Sequence, residues 1–386
     1  MTPKFFNGNK LHLMRNGTAY FPALQQAIDM AKAEIYLETY IFRDDETGQA
    51  IATALARAAQ RGVAVRVLVD GFGCWDHFTD IRERLLVANV QVLVYRPKIS
   101  PLTLRRNRLR RMHRKLAVID ACVAFIGGIN IIDDMDTPGD NPPRYDYAVR
   151  IEGPLLAPIT EEVERLWSRV AWANLRRRWR AKRIVAVDAA QRGTQRAALV
   201  VRDNLRHRAD IEDAYLEAIG NARTEIIIAN AYFFPGVRFR RALRDAVQRG
   251  VRVTLLLQGR VEYFLQHYAS RAFYGPLLDS GVEIYEYKRS FMHAKVAVID
   301  QHWSTVGSSN IDPFSLLLAR EANIVVEDQP FAQELRRNLQ RDMESGAMII
   351  AKIAWRQQPW PERALIWLCY SSARLLMGFV GYADSQ

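Results

Sequence analysis

His113 and Lys115 stand two residues apart in HRKLAVID, and His293 and Lys295 do the same in HAKVAVID. The residues that follow each pair are apolar and rich in β-branched side chains, as in a buried strand. Residues two apart on a strand share a face, so each imidazole points the same way as its lysine. Asp120 and Asp300 lie seven residues beyond the histidines. Strand parity turns them to the other face, as turn or cap residues rather than bases. The pattern closes on Gly127, Gly128 and Asn130 in one copy and on Gly307, Ser308 and Asn310 in the other.

If the two faces met, they would suit phosphoryl transfer. One imidazole can attack phosphorus and hold the group covalently. The other can protonate the leaving oxygen and then deprotonate the incoming alcohol. Two lysines and two asparagines supply charge and donors to the phosphoryl oxygens. No cofactor is required, and no His, Cys, Asp or Glu cluster has metal-ligand spacing. Each histidine needs a partner for its second ring nitrogen. Asp146 in RYDYAVRIEG and Glu321 in AREANIVVED occupy equivalent places before short apolar strands and are the candidates. A single histidine of this kind would usually be structural, but a pattern of this length repeated in register is not a chance event.

The elements that carry these residues are repeated too. ALARAAQRGVAVRVLVDG (54–71) returns as ALRDAVQRGVRVTLLLQG (242–259), IYLETYIF as IIIANAYFF, and NVQVLVYRP as GVEIYEYKR, in the same order. The helices before Gly62 and Gly250 end on Arg-Gly, a C-cap signal. Strands and helices alternate, which predicts an α/β sandwich in each half. We read residues 1–175 as a first lobe, 176–195 as a basic crossover, 196–345 as a second lobe and 346–386 as a tail. Only the first half carries a long insert before its motif, with Pro97, Pro101 and an arginine cluster.

The net charge is +12. Residues 105–115 carry seven basic side chains and 176–183 carry six, with no acid in either run. Without these runs the chain has 41 bases against 42 acids. Two basic patches on a neutral protein suit an anionic partner, either a lipid surface or a nucleic acid. Cys74, Cys122 and Cys369 are odd in number and far apart, which argues against a disulfide framework and for a reducing, cytoplasmic setting. The first residues, MTPKFFNGNK, lack the apolar run of a signal peptide.

The paired motifs resemble the HKD motifs of the phospholipase D superfamily. That resemblance implies two pseudo-two-fold-related α/β/α sandwich lobes in tandem, with the active site between them. It implies a metal-free ping-pong transfer in which His113, Lys115, Asp120, His293, Lys295 and Asp300 form the catalytic set. It also implies that Asn130, Asn310 and Ser308 contact phosphate, and that His113 is the nucleophile and His293 the acid/base. The near-symmetry of the repeats does not itself fix those two roles. Gly128 departs from the family's serine and removes one hydroxyl. RRMHRKLAVIDACVAFIGGIN, YDYAVRIEGP, IIIANAYFFPG and QHWSTVGSSNIDPFSL are similar to bacterial cardiolipin synthases of the B type, over about Asn9 to Asp342. That similarity implies joining of two phosphatidylglycerols with release of glycerol.

Residues 364–382 form an apolar run with one charge, Arg374, preceded by Trp355 and Trp360. The run predicts a helix lying in or against a membrane surface, with core packing and a true span as alternatives. It favours a peripheral enzyme on the cytoplasmic face of the membrane, acting on anionic phospholipid and not on nucleic acid. A nuclease of the same superfamily would share the chemistry but has no use for such a helix, and only Trp179 offers a stacking platform among the basic runs. A membrane-bound scaffold with a dead site is disfavoured by two intact copies of His, Lys and Asn.

Overall fold

The computed structural model describes residues 3–96, 110–137, 142–203, 207–312 and 319–379. In the first half the order is β1 (Phe6–Arg15), α1 (Asn16–Met30), β2 (Glu34–Thr39), α2 (Glu46–Gln60), β3 (Ala64–Asp70), α3 (Thr79–Val87), β4 (Gln91–Tyr95), β5 (Arg111–Met112), β6 (Lys115–Ile119), β7 (Val123–Gly127), β8 (Tyr147–Glu152) and α4 (Leu156–Ala173). The second half opens with β9 (Gln195–Arg202), α5 (Asp210–Asn221), β10 (Glu225–Asn230), α6 (Val237–Gln248), β11 (Arg252–Gln258), α7 (Phe264–Arg271) and α8 (Tyr274–Asp279). It continues with β12 (Glu283–Tyr287), β13 (Lys295–Ile299), β14 (Trp303–Gly307), β15 (Ala319–Glu327) and α9 (Gln329–Gly346). Then follow β16 (Ala347–Ile349), α10 (Lys352–Arg356) and α11 (Trp360–Phe379).

The strands run β16-β12-β11-β10-β13-β14-β15-β9-β1-β8-β7-β6-β2-β3-β4. The antiparallel β9–β1 pair joins the halves, and the order reads alike outward from it: β1 matches β9, β8 matches β15, β6 matches β13. In each half the motif strand, β6 or β13, pairs antiparallel with its hairpin partner and with the first strand of a parallel trio.

Side-chain alternation divides the core. On β13, Val296 and Val298 face a central cluster, and Ala297 and Ile299 face an outer one. The central cluster draws on strands of both halves and on α4 and α9, so one apolar layer fuses the lobes. Helices α1 and α2 cover the outer face of the first half and α5 and α6 that of the second. The repeat thus appears as two α/β/α sandwiches sharing their inner layer.

Residues after α9 do not hang free. Strand β16 adds an antiparallel edge to β12, with Tyr285 opposite Ile349. Helix α11 lays Ile366, Cys369 and Ala373 against the second lobe, with Tyr370 stacked on Phe234. Its other side exposes Trp360, Trp367, Leu368 and Leu375. Among the described residues no helix is long and apolar enough to cross a membrane.

Candidate active site

Two short pairings between the halves bring the motifs together. Strand β5 lies parallel to the start of β15, with Met112 beside Arg320, and the His113 N–H donates to the Arg320 carbonyl at 3.0 Å. The next register position sets His113 beside Glu321. In the other half Tyr145 bridges Met292 in parallel, and the His293 N–H donates to the Tyr145 carbonyl at 2.7 Å. That register sets His293 beside Asp146. The pairs therefore cross: His113 Nδ1 lies 3.0 Å from Glu321 Oε1, and His293 Nδ1 lies 2.7 Å from Asp146 Oδ2. Each imidazole takes its carboxylate from the opposite lobe. A carboxylate on Nδ1 leaves Nε2 as the free ring nitrogen on both. The two ring centroids are 6.5 Å apart.

Lys115 and Lys295 are buried, and each donates through Nζ to the carbonyl of its own histidine, Lys115 at 2.6 Å. Burial pushes the Lys115 ammonium down to about 7 and Lys295 down to about 8, against the pull of the nearby carboxylates. Burial, then the neighbouring lysines, also holds both imidazoles below their usual range, His293 well below it. Burial lifts Asp146 to about 7, opposed by Lys295. At rest the pocket disfavours charge of either sign. An arriving anion would restore the cations. Asn130 and Asn310 are buried beyond the hairpins. Asn130 accepts the Ile41 N–H through Oδ1 at 3.1 Å, while Asn310 Oδ1 meets no donor among the described residues.

The half-sites are not equal. Ser308 Oγ donates to Glu321 Oε2 at 2.5 Å and accepts the Ala322 N–H at 3.1 Å. Asp146 instead takes the Tyr147 N–H at 2.8 Å. A Cβ on Gly128 would lie 2.3 Å from Asp146 Oδ1. Glycine is thus matched to the shorter carboxylate: it clears the space that Asp146 fills on its way to His293. Gly128→Ser, which makes the two motifs alike, is expected to displace Asp146 and reduce turnover. A misplacement of about 1 Å costs on the order of 100-fold, and steady-state kinetics on the folded variant checks it.

Asp120 and Asp300 stand at the far ends of β6 and β13 from the lysines. Asp120 accepts the backbone N–H groups of Lys32, Ala33 and Glu34, and Asp300 those of Arg223, Thr224 and Glu225. Both have positive φ, 48° and 50°, as a tight hairpin turn requires. They clamp the motif strand to its neighbour and do not reach the histidines. Both therefore stand in the turns at the strand ends.

The structure also adds residues. Tyr40 packs edge-on to His113, with centroids 4.7 Å apart, and Lys115 Nζ lies over its ring. Arg144, two residues before Asp146, reaches Glu262 at 3.7 Å, and Tyr232 donates to the same carboxylate. Aromatic and charged residues in strand-end loops were the available signal; nothing in their spacing set them apart. In the basic run, Arg114 points inward, away from His113 and Lys115. It forks onto Glu38 and Glu162 in the core. Arg105, Arg106 and Arg108 lie outside the described residues.

The geometry fixes a pH profile. Raising pH removes protons from Lys115 and Lys295, and their lowered values bring that loss to about 7 to 8 in the free enzyme. Lowering pH protonates the nucleophile His113, which burial holds neutral, so the acid limb falls below the ordinary histidine range. A bell-shaped kcat/KM profile with both limbs displaced downward is expected from initial rates across pH.

The sequence comparisons agree with this arrangement. The family profile described as "Cardiolipin synthase, PLD-like domain" matches residues 24–167 and 215–343, one span in each lobe. The chain belongs to the cardiolipin synthase family of phospholipase-D-like proteins. It is 41% identical to cardiolipin synthase B of Escherichia coli K12 over 98% of this chain and 91% of that protein. It is 45% identical to cardiolipin synthase B of Salmonella typhimurium over 86% and 80% respectively. Among solved structures, phosphatidylserine synthase of Haemophilus influenzae superposes with a TM-score of 0.71 over 96% of this chain and 95% of that one, at 14% identity. That likeness is one of fold. Membership of the cardiolipin synthase family makes the chain a phosphatidyltransferase.

Proposed function

We propose that this enzyme joins two phosphatidylglycerols into cardiolipin and releases glycerol, at one site built from both lobes. The observation that carries the reading is the pair of imidazoles 6.5 Å apart, each backed by a carboxylate of the opposite lobe. His113 Nε2 attacks phosphorus of the first lipid, and the bond to the glycerol headgroup breaks. The departing oxygen takes the proton from His293 Nε2. The second phosphatidylglycerol then presents its hydroxyl, His293 takes that proton, the oxygen attacks phosphorus, and the P–N bond breaks. His113 returns to its first state.

The depressed basicity of His293 does not oppose its acid role. The phosphodiester anion enters between Lys115 and Lys295, and an anion beside an imidazole raises its pKa. Lys115, Lys295, Asn130 and Asn310 hold the non-bridging oxygens. Glu321, braced by Ser308, and Asp146 keep the histidines oriented. The reaction as written needs no metal, so a chelator is expected to leave the rate unchanged.

At the membrane, the exposed face of α11 lies in the interface and the basic surface meets anionic headgroups on the cytoplasmic side. Incubating the pure protein with phosphatidylglycerol vesicles and analysing lipids by mass spectrometry tests the reading. Cardiolipin and free glycerol in equal amounts are expected. Phosphatidic acid without cardiolipin would replace transfer by hydrolysis.

A further inference from the structure

A cleft of about 540 Å³ opens between α11 and the outer helices of the second lobe, and none of its lining residues belongs to the catalytic motifs. Its walls are of two kinds. Arg240, Arg271 and Arg363 present guanidinium groups, and Phe273, Trp355 and Tyr370 present rings.

The charges there do not cancel. Arg271 is shared between Glu286 and Glu362, each at 3.4 Å, and Arg356 at the edge is paired with Asp279 at 2.7 Å. Arg240 and Arg363 have no carboxylate partner among the described residues. Arg240 Nε is buried without an acceptor, and its guanidinium lies over the Phe273 ring at 5.0 Å. A buried cationic donor left unsatisfied is costly, and the guanidinium fork fits phosphate oxygens. On the α11 side the cleft runs past Ile366 and Tyr370 to Trp367, which is 68% exposed and begins the apolar stripe with Leu368 and Leu375.

We propose that this cleft is a second, non-catalytic site for an anionic phospholipid. The phosphate sits on Arg240 and Arg363, and the glycerol backbone and one chain lie along Trp355, Tyr370 and Trp367 toward the exposed face of α11. A free phosphate would use the arginines and leave the aromatic wall idle. A neutral or zwitterionic lipid would use the wall and leave the net charge uncompensated. The occupied site would fix the depth and orientation of the second lobe on the bilayer, which a helix lying flat does not do alone.

The test uses the full chain carrying His113→Ala, so that lipid is not turned over; the catalytic site is the same in every variant compared, so the difference made by the cleft arginines stands apart from the catalytic reading. Water-soluble dihexanoyl phosphatidylglycerol, below its micelle concentration, is titrated against tryptophan fluorescence, since Trp355 and Trp367 line the cleft. Saturable binding is expected. It should weaken on the order of tenfold when Arg240→Ser and Arg363→Ser are combined, and persist in Arg240→Lys at an unchanged melting temperature. Three results would overturn the proposal: equal binding by the double variant, equal binding of dihexanoyl phosphatidylcholine, or inorganic phosphate saturating the same signal at the same concentration. Equal loss in Arg240→Lys and the double variant would overturn it too, because lysine keeps the charge.

Discussion

Replacing either His113 or His293 by alanine is expected to lower cardiolipin formation by about 10⁴-fold or more, and the double variant should fall no further than the worse single one. The two residues act as a unit. Without the nucleophile there is no covalent intermediate, and without the acid/base the glycerol oxygen departs as an unstabilised alkoxide. The crossed pairing sharpens the expectation. Glu321→Ala should impair His113 and Asp146→Ala should impair His293, each across the lobe boundary, because the Nδ1 contacts run 3.0 Å and 2.7 Å between lobes. Substantial activity surviving in either single variant would mean that the two motifs are separate sites.

The second large effect concerns folding. Arg114 is 1% exposed, and its fork meets Glu38 and Glu162, with Nη2 to Glu38 Oε1 and Nη1 to Glu162 Oε1 both at 2.8 Å. Arg114→Ala leaves Glu38 in the core without its paired cation and leaves Glu162 with only the more exposed Arg165. Breaking a buried pair in this way costs about 3–5 kcal/mol. A denaturant titration should show that loss, and Arg114→Met combined with Glu38→Met should recover part of it by removing one stranded charge. Arg111, in the same basic run but on β5, is only partly buried, with its guanidinium over the Phe72 ring, and its replacement should cost less. A loss below about 1 kcal/mol for Arg114→Ala would place the network at the surface instead.

The sequence made the repeat and the motif faces plain because both are local. The strand alternation around His113 and Lys115, the Arg-Gly helix ends and the order of blocks all fall within short windows. Strand parity also read Asp120 and Asp300 correctly as turn residues. What stayed hidden depends on contacts between distant segments. Asp146 and Glu321 were visible as equivalent candidates, yet the exchange between lobes rests on a two-residue strand and a single bridge, which leave no periodic trace. The inward turn of Arg114 was masked by its basic neighbours, although its counterpart in the second motif is Ala294. Gly128 read as a lost hydroxyl; its meaning lies in the room it leaves for Asp146. The apolar run after Glu362 suggested a membrane-surface helix, and the structure divides it, with one side on the second lobe and the other exposed. Amphipathic patterning alone does not say which partner each face meets.

The covalent step is the point on which the mechanism turns. Wild-type enzyme mixed with phosphatidylglycerol labelled in its phosphate, stopped within a turnover and digested under alkaline conditions, should yield an acid-labile phosphatidyl group on a peptide containing His113. The adduct should be absent from His113→Ala. Label recovered on His293 would reverse the two roles, and no adduct on either histidine at any time before product appears would contradict a two-step transfer.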